Sequence, residues 1–97
     1  MKFEIVLSPE AHEQYVALHT PAGKTVLKAI DKTLAYMETN LRHPSLNTHE
    51  FYGMKGPDGE KILESYAQNK TPGAYRIFWY YGPGKNRLTI LCITPHP

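Results

Sequence analysis

From Lys2 to Leu7 the side chains alternate, with Phe3, Ile5 and Leu7 on one side, which predicts a short strand. Ser8-Pro9-Glu10 then forms a helix start. Ser8 can cap, Pro9 suits the first helical position, and Glu10 sits against the positive helix end. Ala11, Tyr15 and Leu18 follow at spacings of four and three, marking the buried face of a first helix. Thr20-Pro21 repeats the cap-then-proline signal. Val26, Ile30, Leu34, Met37 and Leu41 keep helical spacing through a longer second helix. So tight a connection predicts a helical hairpin.

From Arg42 to Lys61 the pattern stops, and His43-Pro44, Gly53, Gly56-Pro57 and Asp58-Gly59 read as an irregular loop. A loop of that length in a small domain is a candidate for function. Three strands are expected after it, over Lys61–Ala67, Ala74–Tyr81 and Arg87–Thr94. Asn69-Lys70-Thr71-Pro72-Gly73 and Gly82-Pro83-Gly84-Lys85-Asn86 connect them as turns, so the strands form an antiparallel meander. No repeat or linker interrupts the chain. The order β-α-α-β-β-β makes a single α+β domain over residues 1–97, with a helical hairpin covering one face of a small sheet.

Composition adds a few bounds. Ninety-seven residues, 41% hydrophobic and 21% charged, fit one folded domain with one modest core. A net charge of +2 permits a local nucleic-acid patch without arguing for one. The single Cys92 excludes an internal disulfide and suits a reducing compartment. No run approaches the roughly 20 apolar residues of a membrane span, and Met1–Leu7 lacks the apolar stretch of a signal peptide. The expectation is a soluble, cytoplasmic protein that does not engage membranes. Its histidines lack the close pairing of a zinc site, so neither metal nor cofactor is expected.

A sheet covered on one face leaves the other for chemistry. In the middle meander strand, Arg76, Phe78 and Tyr80 share one side, and Tyr75, Ile77, Trp79 and Tyr81 the other. Arg76 in so apolar a strand reads either as a phosphate-binding fork or as the partner of Glu64 across the hairpin. The presumed loop holds His43, His49, Lys55 and Lys61, and His96 follows the last strand. Cutting RNA without metal needs a base for the 2′-hydroxyl, an acid for the leaving 5′-oxygen, and cations for the phosphate. Histidine, arginine and lysine supply those roles, although a lone histidine is more often a surface residue. Lys24, Lys28 and Lys32 form a stripe that reads as a solvated helix face. Cys92, on the Leu88 and Ile90 side, reads as core, and so does Trp79. Tyr80 is the better candidate to stack on a base.

The chain resembles the RelE/ParE toxin superfamily. The block Ile62-Leu63-Glu64-Ser65-Tyr66 and the strand Gly73–Tyr81 are similar to its acidic strand and its arginine-bearing strand. Thr48-His49-Glu50-Phe51-Tyr52-Gly53 resembles a histidine loop of that superfamily. The resemblance implies a toxin of a type II toxin–antitoxin system, a monomer or weak dimer when free, blocked by a cognate antitoxin. It also implies a metal-independent, ribosome-associated endoribonuclease that cuts mRNA and inhibits translation. Arg76 then matches the residue at the scissile phosphate, and His49 and His96 match those of the histidine-dependent YafQ-like and HigB-like members. Lys55 and Lys61 match basic loop residues. RelE itself uses a tyrosine near its end, and none follows Tyr81 here. Two alternatives keep the fold and change the activity. One is a ParE-like inhibitor of DNA gyrase, and the other an inert paralogue that only binds antitoxin.

Overall fold

The computed structural model describes residues 2–96. The chain begins with strand β1 (Glu4–Leu7) and continues through helices α1 (Pro9–Ala17) and α2 (Lys24–Thr39). A 3-10 turn (Pro44–Leu46) leads into strands β2 (His49–Lys55), β3 (Lys61–Tyr66), β4 (Tyr75–Tyr81) and β5 (Arg87–Pro95). The sheet runs β1-β5-β4-β3-β2, with β1 parallel to β5 and the other neighbours antiparallel. The α+β class and the meander hold. The segment read as an irregular loop does not: His49–Lys55 within it is a fifth strand, on the sheet edge.

Local chemistry explains the helix starts. The Ser8 hydroxyl oxygen accepts from Ala11 N at 3.0 Å and donates to Leu91 O at 2.7 Å, so the cap also fastens α1 to β5. The second cap departs from expectation. Thr20 Oγ1 accepts from Gly23 N at 3.1 Å to close a tight turn, and α2 starts only afterwards. A side chain on Gly23 would place its Cβ 2.3 Å from Leu18 O, so the tight turn between the helices selects glycine.

On the helix side, Ala11, Ile30 and Met37 bury against Ile77, Trp79, Leu88, Ile90 and Ile93. Trp79 is fully buried, as expected. A second, smaller core lies on the other face, where Ile62, Phe78, Tyr80 and Cys92 are covered by Phe51, Met54 and Leu91. That face is therefore partly closed. The placement of Cys92 corrects the sequence reading. Register shifts between Phe78, opposite Cys92, and Trp79, opposite Ile90. This bulge inserts Leu91 and reverses the alternation, moving Cys92 to the face opposite Leu88 and Ile90. Alternation read along the sequence cannot register an inserted residue.

A chain of polar bonds running out from the core fixes β2. Trp79 Nε1 donates to Ser65 Oγ at 2.9 Å, and Ser65 Oγ lies 2.7 Å from Thr48 Oγ1. Thr48 immediately precedes β2, so this chain sets where His49 enters the sheet.

Candidate functional site

Strand pairing assembles the site. His49 lies opposite Glu64, and Glu64 opposite Phe78. In the adjoining row Tyr66 faces Arg76, and Arg76 faces Thr94. These rows share the face that the helices leave uncovered. His49, Glu64, Tyr66 and Arg76 are thereby gathered on one patch spanning three strands.

Glu64 is its centre. It is 6% exposed, and its Oε1 lies 2.7 Å from His49 Nε2. Its Oε2 lies 3.8 Å from Arg76 Nε, within ion-pair range but outside hydrogen-bond range. Arg76 Nε is buried without a hydrogen-bond partner. The rest of the guanidinium is anchored: Nη1 donates to Gln68 O at 2.6 Å, and Tyr66 stacks with its ring centroid 3.7 Å from Cζ. Gln68 in turn accepts from Tyr75 N through its side chain at 3.2 Å, closing the β3–β4 hairpin around the arginine. Arg76 itself is only 8% exposed.

His49 is the accessible member, with its side chain 47% exposed. Its Nδ1 lies 2.7 Å from the Asn47 carbonyl oxygen, and Tyr66 packs edge-on against the ring at 5.8 Å. Asn47 adopts a left-handed conformation, φ 47°, that turns the chain from the 3-10 helix into β2.

The remaining candidates are dispersed. His96 is exposed and stays in the sheet through its backbone N–H, which donates to Ala74 O at 2.7 Å. Two residues beyond Thr94, the partner of Arg76, it stands at the rim of the same face. Three strand spacings, roughly 14 Å along the sheet, separate its strand from that of His49. Tyr80 is 6% exposed, its ring largely within the second core. It lines a groove of about 600 Å³ together with Lys55, Val6, Ser8, Arg87 and Leu91, towards the far end of the face. Lys61 alternates to the helix side of β3, with its Nζ 4.0 Å from Glu50 Oε1. His43 stacks on Tyr36 at 3.9 Å and borders a surface pocket with Asn47 and Thr48. Cys92 is no nucleophile, because burial, aided by the charge of Glu10, pushes its thiol up to about 11.

The sequence reading named Arg76 and His49 and held Glu64 only as a partner for the arginine. The contact between Glu64 and His49, and the ring of Tyr66 over the guanidinium, were missed. The signal for the first was the pairing of β2 with β3, which a presumed loop concealed. Among the described residues, no group of three or more histidine, cysteine, aspartate or glutamate side chains is placed to hold a metal ion. No helix among them is long and apolar enough to cross a membrane.

Neither a sequence family model nor a curated protein sequence matches the chain. Solved structures do match its fold. A structure of the YoeB dimer from Staphylococcus aureus is 17% identical, with all of both chains covered and a TM-score of 0.66. The YoeB/ParE toxin from Agrobacterium tumefaciens is 11% identical over 98% of this chain and 100% of its own, with a TM-score of 0.71. An archaeal RelE–RelB complex from Pyrococcus horikoshii OT3 is 10% identical over 98% and 96%, with a TM-score of 0.67. The fold shared with these structures is the one the RelE/ParE resemblance implies.

Proposed function

We propose that this chain is the toxin of a toxin–antitoxin pair and a metal-independent ribonuclease that cuts mRNA on the ribosome. The observation that carries the reading is the His49–Glu64–Arg76 cluster on the uncovered sheet face. It joins a half-exposed histidine, able to move a proton, to an arginine whose charge attracts phosphate. An antitoxin partner is supported by complexes of similarly folded proteins, YoeB with YefM and RelE with RelB. The metal-free chemistry draws on side chains alone. His49 and His96 supply acid and base, Arg76 balances charge on the phosphate, and Lys55 holds the RNA backbone.

The test is induction of the chain in cells, with primer extension on translated mRNA. Growth arrest with new mRNA ends is expected. His49→Ala should lower cleavage by about 100-fold or more, the scale of a lost acid–base group. Arrest and cleavage unchanged in His49→Ala combined with His96→Ala would rule the nuclease out.

One observation favours a second reading, inhibition of DNA gyrase by binding. Arg76 is nearly buried, stacked on Tyr66 and bonded to Gln68 O, as a structural arginine would be. Under that reading, induction elicits the DNA-damage response while mRNA stays intact and the histidine variants keep full potency.

A further inference from the structure

We propose that Glu64 is a positioning residue that holds His49 with a proton on each ring nitrogen, making His49 the acid of the proposed cleavage. The argument is a count of donors and acceptors. His49 Nε2 lies 2.7 Å from a carboxylate oxygen of Glu64, and Nδ1 lies 2.7 Å from the carbonyl oxygen of Asn47. Both neighbours accept, and a carbonyl can do nothing else. A neutral imidazole carries one N–H, so it would set a lone pair against one of these oxygens at hydrogen-bond distance. The imidazolium satisfies both.

One other arrangement would satisfy both contacts, a neutral ring protonated on Nδ1 beside a protonated Glu64. The charges around the pair speak against it. Glu64 is buried, and the Arg76 guanidinium 3.8 Å from its Oε2 attracts a carboxylate, not a neutral acid. Tyr66 brings an aromatic ring to both cations and no formal charge. One buried negative charge is thus shared by two cations, and the patch keeps a surplus positive charge on its exposed, histidine side. That surplus suits an anionic substrate.

The geometry also divides the labour between the ring nitrogens. The carboxylate grips Nε2 and fixes the ring, as a carboxylate fixes a catalytic or metal-binding histidine. The proton on Nδ1 is shared only with a neutral carbonyl and is the one to leave. Cleavage then balances as follows. A base, for which His96 is the remaining histidine at this face, takes the proton of the 2′-hydroxyl. The 2′-oxygen bonds to phosphorus, and the bond from phosphorus to the 5′-oxygen breaks with its electron pair on that oxygen. His49 Nδ1 delivers its proton there, leaving a 2′,3′-cyclic phosphate, a 5′-hydroxyl and a neutral imidazole paired with Glu64.

The catalytic half of this assignment rests on the ribonuclease reading, whereas the protonation half does not. The experiment measures both on the whole protein. Long-range proton–nitrogen spectra at pH 7 report the His49 ring directly, and two N–H-type nitrogens are expected in the native chain. A neutral ring with a single protonated nitrogen would overturn the proposal, and no variant is needed to see it. In E64Q, one His49 nitrogen should lose its proton. Ribosome-programmed mRNA cleavage should fall by tenfold or more in kcat with little change in KM. Glu64→Asp keeps the charge but shortens the reach by one methylene, and should recover part of the rate. If E64Q is poorly folded, Glu64→Asp and the native spectrum carry the test. His49 signals and cleavage unchanged in E64Q sink the idea. If native protein shows the doubly protonated ring but cuts no mRNA, the nuclease reading fails and the positioning role of Glu64 stands.

Discussion

A thiol and a carboxylate, both nearly buried, behave in opposite ways because only one has partners. Glu64 has His49 and Arg76 beside it and serves as the hub of the site. Cys92 has apolar neighbours in the second core, and burial with the Glu10 charge moves its thiol up to about 11. A thiol that is harder to ionise in the folded state favours that state while it keeps its proton. The contribution is complete below the ordinary thiol range near 9 and is lost as pH rises through about 11. Native protein at pH 8 should therefore resist iodoacetamide at Cys92 and react fully in urea, as mass spectrometry would show. Rapid alkylation of the folded chain would contradict this burial. The same asymmetry made the two residues unequal to read in the sequence. The polarity of Glu64 in an apolar strand was visible, but its partner His49 sits 15 residues away on a strand hidden among turn residues.

At the level of elements, β2 is the piece on which the site depends most. It forms the sheet edge, with a register shift between Phe51 and Lys55, so one side of its backbone has no neighbouring strand. What places it is the bond from Thr48 to Ser65, continued to Trp79. Thr48→Val removes the hydroxyl but keeps the shape, leaving β2 to its ladder alone. Amide exchange in 49–55 should then accelerate by about tenfold, the equivalent of losing one net hydrogen bond. Protection in β4 should change far less. Equal acceleration in both strands would show that β2 does not open separately. The helices were far more legible than this strand. Their starts depend on local capping, and α1 began where Ser8-Pro9 predicted. The start of α2 was displaced because Thr20 closes a turn onto Gly23, where the Leu18 carbonyl leaves no room for a side chain.

Across the whole molecule, Trp79 links the two systems. Its ring fills the helix-side core, and its Nε1 begins the polar chain that ends at the entry to β2. Trp79→Phe removes that donor and part of the ring volume together. A loss of about 2–4 kcal/mol in unfolding free energy is expected, within the range for large core residues made smaller. Urea denaturation measures it, and a change under 0.5 kcal/mol would mean that the core repacks without the indole. The class and the meander were legible because each depends on short patterns and turn residues. The RelE/ParE resemblance of the arginine-bearing strand agrees with the fold of the YoeB and RelE structures.

The sequence by itself determined the helical hairpin, the three meander strands and the face on which Arg76 stands. Periodicity and capping act over a few residues, so they can be read along one chain. Only the tertiary structure decided that His49 meets Glu64, that Tyr66 covers Arg76, and that Cys92 faces away from Leu88. Those outcomes depend on an edge strand, a register and an inserted residue. Each is fixed by hydrogen bonds between distant segments, which no local pattern specifies.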